Sequence, residues 1–396
     1  MPAAANLLTR ALKLVPEEHP GRGDLLVDLA RALRSVGDWS QANDRLHSAL
    51  ALADRSKDPA LWTFLVTQKL QHRLQTDPNF TVEEFVAKTA RAFRELTSLK
   101  DERYITRVRA TLAWGYALRG QAQRAEQLLQ ENIKPSAQYN VQVVNQARTL
   151  LPSLWLYGPL KVSEARRRCA RLLDAQPPPR AEASCYRCLA VLEAMIGRFD
   201  EARVLAERDE ELLDELGLLV LSAAGSSVRA TVEFLAGETA AAVGILKSGL
   251  ESLRKLGATL HLSEVSSVLA RVLYAQEAYE EAWRVTELEP SGSHDVAAAV
   301  YWRGTRAKLL AQRGQGRRAM RLARQGMHLA QTSDLLDLTG DSLMDLSEVL
   351  RLNEAATQAE SVVKSAIQFY ERKGNIVSAK AARVVLADGT STRAPA

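Results

Sequence analysis

A short signature, glycine followed five residues later by alanine, recurs along this chain at a spacing of about 40 residues. The complete copies are Gly37/Ala42, Gly120/Ala125, Gly197/Ala202, Gly237/Ala242 and Gly314/Ala319. Degenerate copies fill the gaps, at Phe80/Phe85, Leu160/Ala165, Glu277/Ala282 and Glu354/Ala359. A fixed period of this size indicates a stacked-repeat protein, in which each unit buries its apolar face against its neighbours.

Each signature lies between two amphipathic helical patterns. Around Gly197, the apolar run Leu189–Ile196 precedes the glycine, and Val204, Leu205 and Leu212 follow the signature. Glycine can adopt the left-handed conformation that ends a helix, and a small alanine lets the next helix pack closely. The signature therefore predicts the turn of a helical hairpin.

The composition agrees with an array of helices. Apolar residues make up 46% of the 396 residues and charged residues 25%, while aromatic residues reach only 6%. Ala, Leu, Arg and Glu, which are strong helix formers, dominate, and strand-like alternation is absent. Because a solenoid can lengthen along one axis, we expect one all-α repeat array over residues 1–387.

The two ends of the array differ from its middle. Ala4, Leu8 and Ala11 match the second helix of a repeat whose first helix is missing, so the array is predicted to open on half a hairpin. Gly374/Ala379 gives the last signature. Residues 388–396 contain Thr, Ser and Pro and are predicted to form a disordered tail.

The repeat around Gly120 carries the fullest pattern. It has Leu112, Ala113 and Tyr116 in its first helix, Gly120 at the turn, and Ala125 and Leu129 in its second helix. This arrangement resembles the tetratricopeptide repeat, which implies about ten antiparallel hairpins in a right-handed superhelix. The period exceeds the usual ~34 residues and approaches the ~40–47 of HEAT and armadillo repeats, so the superhelical pitch stays open.

The formal net charge is +5 and the isoelectric point is about 9.1, which raises the question of nucleic-acid binding. The densest basic stretches are Arg166–Arg168 with Arg171, and Arg313, Arg317, Arg318, Arg321 and Arg324. Acidic residues accompany arginine along most helices. Aromatic residues are not interleaved with these arginines, and the sequence has no recognised nucleic-acid-binding motif. We interpret both stretches as solvated helix faces and disfavour a nucleic-acid partner.

The three cysteines, Cys169, Cys185 and Cys188, are too few for a disulfide framework. Cys185 and Cys188 share one helix face, but the six histidines are scattered, so helix packing is favoured over a metal site. No signal peptide is recognised, and no apolar run approaches the ~20 residues of a membrane span. A cytoplasmic protein with no membrane partner is the expectation.

Motifs that carry catalysis or bind nucleotides are missing from the sequence. There is no phosphate-binding Gly-x-x-x-x-Gly-Lys-Ser/Thr loop, no Gly-x-Ser-x-Gly elbow and no His-Glu-x-x-His helix. Adjacent glutamates such as Glu83 and Glu84 point about 100° apart on a helix and do not form an acid/base pair. We therefore expect no enzyme activity, no cofactor and no metal.

The tetratricopeptide pattern implies a binding groove lined by the first helix of each hairpin. Counting back from the turns places on that side Arg31, Arg34, Arg107, Trp114, Tyr157, Arg187, Arg271, Tyr274, Tyr301 and Lys308. Arginine and aromatic side chains favour acidic or aromatic ligands, although Trp114 and Tyr157 could instead fill hairpin cores. Asp341, Asp345 and Glu348 lie on the same side, so the groove is expected to change sign along its length.

Several segments together also resemble the C-terminal repeat region of bacterial adenylate/guanylate cyclase–AAA (signal-transduction) ATPase regulators. These segments are Leu156–Pro159 with Glu164–Cys169, Leu192–Arg203, Asp345–Leu352 and Tyr370–Asn375. The resemblance implies a regulatory scaffold that binds a protein or peptide, and a cyclase/ATPase effector in the same or another chain is a candidate partner. A small-molecule sensor and, after it, a nucleic-acid-associated transcriptional regulator remain alternatives. The partner and the oligomeric state are left open.

Overall fold

The computed structural model describes residues 2–19, 21–133, 141–288 and 295–391, and these residues form α-helices and no strand. The helices are α1 (Pro2–Leu14), α2 (Arg22–Ser35), α3 (Trp39–Leu52), α4 (Pro59–Thr76), α5 (Val82–Leu99), α6 (Glu102–Leu118), α7 (Ala122–Glu131), α8 (Val141–Tyr157), α9 (Val162–Asp174), α10 (Pro179–Met195), α11 (Phe199–Glu215), α12 (Leu219–Ala224), α13 (Ser226–Ala236), α14 (Thr239–Lys255), α15 (Thr259–Ala275), α16 (Tyr279–Leu288), α17 (Val296–Gln312), α18 (Gly316–Gln331), α19 (Leu336–Leu352), α20 (Ala356–Lys373) and α21 (Ile376–Ser391). The predicted all-α class is confirmed.

Within the described residues, the helices pair into nine hairpins, from α2/α3 to α19/α20, with the broken helix α12–α13 pairing with α14. α1 packs against α2 at one end, and α21 packs against α20 at the other. The extent of the array as one domain and its opening on half a hairpin stay predictions.

The turns of the hairpins have the geometry that the signature predicts. The glycines of the five complete copies have φ angles between 69° and 87°, in the left-handed region that suits glycine. Glu277 and Glu354, in degenerate copies, adopt a φ of 61° as well. The alanines of the complete copies are fully buried, so the predicted close approach of the second helix is confirmed.

The first helices of the hairpins form the inner layer of the stack. Consecutive first helices contact each other, from α2 and α4 to α17 and α19, whereas consecutive second helices among the described residues do not pack closely. In a curved stack, the layer whose members pack together is the one with the smaller radius. The first helices face one another across the superhelix. We call the surface on that side the inner face.

The superhelix closes upon itself after about 215 residues. Trp39 Nε1 donates to Leu256 O at 2.7 Å across a separation of 217 residues. Thr259 Oγ1 donates to Gln75 O at 2.5 Å, where α15 contacts α4, and α12 contacts α2. Successive superhelical turns therefore touch, and each turn contains about five repeats of the observed period.

Two charged side chains of one superhelical turn cap helices of the preceding turn. The Asp334 carboxylate accepts from the N–H groups of Ala122 and Gln123 at 2.9 and 2.8 Å, at the start of α7. Lys373 Nζ donates to Leu156 O and, at 2.6 Å, to Gly158 O, at the end of α8. An anion at a helix N-terminus and a cation at a C-terminus both complement the helix dipole.

Two stretches of the structure differ in detail from the sequence expectations. The stretch Leu219–Ala236 has a mean hydropathy of 1.2 and is long and apolar enough to cross a membrane by length and composition alone. Half of it is buried inside the stack, and an inner-layer helix with neighbours on several sides becomes apolar nearly all round. The tail is predicted to begin at Asp388, but α21 extends to Ser391. Residues 392–396 lie outside the described ranges.

Candidate functional site

All ten residues predicted for the groove lie on first helices of the stack. They are Arg31 and Arg34 on α2, Arg107 and Trp114 on α6, Tyr157 on α8, Arg187 on α10, Arg271 and Tyr274 on α15, and Tyr301 and Lys308 on α17. Their surroundings differ, because some join a hydrogen-bonded network, some form a cluster of cations and one belongs to hairpin packing. Their role in partner binding stays a prediction.

Asp341 on α19 is the centre of a polar network on the inner face. Its carboxylate accepts from Arg271 Nη1 at 2.8 Å and from Tyr301 Oη at 3.1 Å. Tyr370 Oη, from α20, donates to its second oxygen at 2.7 Å. We call the aspartate network the set Arg271, Tyr274, Tyr301, Lys308, Asp341, Asp345, Glu348 and Tyr370.

Lys308 and Tyr274 extend the aspartate network toward the end of α19. Lys308 Nζ lies 2.7 Å from Asp345 Oδ1 and 4.3 Å from the centre of the Tyr274 ring. Tyr274 Oη donates to Glu348 Oε1 at 2.7 Å. The predicted cations and the predicted acids of this side therefore neutralise one another directly.

Burial shapes the protonation of the aspartate network. Burial opposes charge on Arg271, but the carboxylates of Asp341 and Asp345 raise its pKa above the ordinary value. Burial, together with Asp341, raises the pKa of Tyr301 and of Tyr370 well above 10, so both phenols remain neutral donors. The guanidinium stays charged and the phenols stay protonated at physiological pH.

A cavity of about 270 Å³ opens beside the aspartate network. Polar lining comes from Arg271, Lys308 and Asp345, and apolar lining from Met344 and from Leu386 of α21, among others. A few charged groups in an otherwise apolar cavity are typical of a small-molecule site.

Three arginines converge at a second place on the inner face, and we call Arg31, Arg34 and Arg180 the arginine cluster. Burial and the positive charges of Arg31 and Arg180 lower the pKa of Arg34 to about 9. Burial and the charges of Arg31 and Arg187 lower the pKa of Arg180 to about 10. Residues from α2 and α10 are thus close enough to repel each other across the superhelix.

Arg107 and Arg187 are committed to ion pairs within the stack. Arg107 Nη1 donates to Asp24 Oδ1 at 2.6 Å, and its guanidinium lies 4.2 Å from the Phe64 ring centre. Arg187 Nε donates to Asp209 Oδ2 at 2.9 Å. Charge reversal at either position would leave a buried carboxylate facing a second one.

The two aromatic residues for which core packing was the alternative differ in their surroundings. Trp114 packs edge-on against Phe85, a core residue of α5, with ring centres 5.5 Å apart, so its ring contributes to hairpin packing. Tyr157 is 46% exposed, although burial and the charge of Glu264 raise its pKa above 10. Its ring therefore faces solvent in a space that other parts of the protein enclose.

Sequence reasoning missed Arg180, Tyr370 and Lys373. Arg180 directly follows three prolines and is the second residue of α10. Tyr370 lies on a second helix, which the counting rule excludes from the groove. Lys373 is fully buried by the preceding superhelical turn, and no local pattern encodes that contact.

The basic run and the cysteines are accounted for by structure. Arg166 Nε lies 2.6 Å from Glu193 Oε1, and Arg168 Nη1 lies 2.7 Å from Glu126 Oε1, so glutamates balance the run. All three cysteines are buried and free. Among the residues that the structure describes, no three His, Cys, Asp or Glu side chains group as metal ligands.

No protein-family model matches the chain, and no curated protein matches it in sequence. Among solved structures, the APC/C hetero-tetramer Cut9–Hcn1 is similar, with 11% identity over 98% of this chain and 74% of that one, at a TM-score of 0.57. A Rap protein complexed with competence and sporulation factor has 10% identity over 93% of this chain and 98% of that one, at a TM-score of 0.45.

A signal-transduction ATPase with a tetratricopeptide repeat sensor, from Pyrococcus horikoshii, matches with 14% identity, at a TM-score of 0.42. The match covers 89% of this chain and 53% of that one. The likeness to the Cut9–Hcn1 assembly concerns the fold alone. It agrees with the helix order described above, and the chain is a tetratricopeptide-like helical solenoid.

Proposed function

We propose that the array is a non-catalytic scaffold or sensor that binds a protein or peptide segment on its inner face. The observation that carries this proposal is Tyr157, a ring that is 46% exposed inside a closed superhelix. The charges of Glu264, Arg187 and Asp295 act on its hydroxyl group, and they come from different repeats. An aromatic ring with mixed charges around it offers stacking and hydrogen bonds to an extended peptide.

The test is photo-crosslinking in the source cells. The photoreactive residue p-benzoylphenylalanine replaces Tyr157 in one variant and, as a control, Val204 in another, since Val204 is 65% exposed on α11 of the outer layer. We expect a discrete crosslinked partner, identified by mass spectrometry, from position 157 and none from position 204. Crosslinks from position 204 alone, or from neither position, would refute binding at the inner face.

On the sequence resemblance alone, we further propose that the scaffold regulates a cyclase- or ATPase-type effector, in the same chain or another, in the cytoplasm. The mass of the native product in its own cells tests this context. A species much larger than 43.6 kDa would agree with an effector in the same chain. A species of 43.6 kDa would leave only an effector in another chain, which the crosslinked partner must then be.

The cavity beside the aspartate network supports a second candidate, the sensing of a small molecule. A thermal-shift screen with a metabolite library should then give a saturable increase in melting temperature. Ala275 lines the cavity and is exposed, so Ala275→Trp fills the space without disturbing the core. A ligand whose effect survives in this variant does not bind in the cavity.

A further inference from the structure

The arginine cluster forms where two distant parts of the inner layer meet. Arg31 and Arg34 lie one turn apart on α2, and α2 contacts α12. α10, which carries Arg180, reaches the same helix, because Arg187 Nη2 is 3.4 Å from Leu221 O of α12. Arg34 and Arg180, 146 positions apart in the chain, thereby lie near enough for the charge of Arg180 to act on Arg34.

Arg34 is the least satisfied cation of the cluster. Its side chain is 7% exposed, and its Nη1 is shielded from solvent without a hydrogen-bond acceptor. Within the described ranges, no acidic side chain lies within ion-pair distance of Arg34 or Arg180. A buried cation without a partner is costly, so a bound anion would stabilise this arrangement.

The acids near the cluster are engaged by other cations. Asp28 Oδ1 lies 3.5 Å from Arg31 Nη1 and 3.7 Å from Arg107 Nη2. Asp209 accepts from Arg187 at 2.9 Å. Asp28 therefore offsets part of the charge of Arg31, and the cluster as a whole keeps about two positive charges uncompensated.

A solute can reach the cluster from the solvent. The Arg31 side chain is 32% exposed, and Arg180 contacts solvent even though the protein around it is dense enough to lower its pKa. Arg34 forms the buried end. Guanidinium groups bind phosphoryl and carboxylate oxygens in pairs of parallel hydrogen bonds. Three guanidinium groups whose charges act on one another, one of them buried without a hydrogen-bond acceptor, match a compact ligand with two negative charges.

We propose that Arg31, Arg34 and Arg180 form an anion site that holds a ligand group with two negative charges, either a phosphoryl group or a pair of carboxylates. The site rests on the proposed function, since it assigns a chemistry to one part of the inner face. It predicts that a partner or effector places its acidic group here.

The test is isothermal titration of the full-length protein with sodium pyrophosphate and, separately, with a peptide of four glutamates. We expect saturable one-to-one binding of at least one probe, and the stronger arm identifies phosphoryl or carboxylate chemistry. Arg34→Met and Arg180→Gln should each weaken the affinity at least tenfold. Arg324→Gln, at an exposed arginine of α18, is the matched control and should leave the affinity unchanged.

Absence of one-to-one binding, unchanged affinity in Arg34→Met, or an equal loss in Arg324→Gln would each overturn the anion site. The melting temperature of Arg34→Met must equal or exceed that of the wild type, so that a loss of affinity is not a loss of folding. The crosslink from position 157 is measured independently. If it persists while anion binding fails, the site alone is wrong and the scaffold function stands.

Discussion

The aspartate network and the arginine cluster occupy the same inner face, and both contain arginines that the repeat pattern placed there. In the network, Arg271 has an aspartate at 2.8 Å and phenol groups complete the hydrogen bonds of that aspartate. In the cluster, Arg34 has no acceptor for Nη1 and two arginines as its charged neighbours. The same residue type therefore stabilises one region and leaves the other dependent on a ligand.

The difference teaches how to interpret a charged groove in a solenoid. A position on the inner face shows which side chains can meet. Whether such a side chain is free to bind a ligand depends on the ion pairs and hydrogen bonds that it already makes within the chain. Cations that already have buried carboxylates bonded to them hold first helices together. A cation without such a carboxylate, as Arg34 is, keeps hydrogen-bonding groups for something that is not part of the chain.

The largest effect should follow from removing the centre of the aspartate network. Asp341→Asn leaves Arg271 charged and buried without its carboxylate, and takes one strong acceptor from Tyr370. We expect the free energy of unfolding to fall by about 3–5 kcal/mol, as for other broken buried ion pairs. Chemical denaturation measures this change.

The matched control is Asp200→Asn, because the Asp200 side chain is 98% exposed in an ion pair with Arg203. The same substitution there should change the free energy of unfolding by less than about 0.5 kcal/mol. Equal effects at both positions would show that Asp341 contributes no more than a surface charge.

A pair of identical substitutions gives the sharpest contrast between the regions. Arg271→Met should cost about 3 kcal/mol, because it leaves the Asp341 carboxylate buried without its cation. Arg34→Met should be neutral or should stabilise the free protein by about 1 kcal/mol, because it removes an unpaired buried charge. Denaturant midpoints of both variants provide the comparison, and a loss of stability in Arg34→Met would contradict it.

The pH dependence of stability should have opposite signs in the two regions. Burial and the charge of Arg34 lower the pKa of His72 to about 4, so the unfolded chain binds more protons and stability falls as the pH drops from 6.5 to 4. Burial raises the pKa of Asp337, beside the network, to about 6. The unfolded chain releases this proton at a lower pH than the folded chain, so stability falls as the pH rises from 3.8 through 6.

Each group should account for about 3 kcal/mol over its window, since one pKa unit corresponds to about 1.4 kcal/mol and each pKa lies about two units or slightly more from its ordinary value. Unfolding free energies of His72→Gln and Asp337→Asn, measured from pH 4 to 7, isolate the two contributions from the other titrating groups. The first variant should lose less stability on acidification than the wild type, and the second less on raising the pH. Curves that stay parallel to that of the wild type would show that neither group is buried as described.

The hairpins were predictable because their determinants are local. A glycine in the left-handed conformation and a buried alanine define the turn of each complete copy, and both are visible in a window of six residues. The repeat pattern also predicts that Arg271 and Asp341 lie on the same side of the array. The distance between them could not be predicted, because it depends on the angle between successive repeats.

The rest of the site depends on the superhelical pitch, which accumulates from small rotations at every repeat and has no local signature. Arg34 and Arg180 come near each other only because α2 and α10 both approach α12, which depends on the curvature of the superhelix. The burial of Lys373 has the same origin. The apolar stretch 219–236 could not be assigned from composition, since a core helix and a membrane span look alike.

The caps formed by Asp334 and Lys373 alter the folding problem of this chain. In a solenoid with contacts only between neighbours, terminal repeats can be lost one by one while the rest stays folded. Here the ends of α7 and α8 are completed by residues 212 and 217 positions further along. Such contacts raise the contact order, which slows folding, and they tie the unfolding of the last repeats to that of repeats near the middle of the chain.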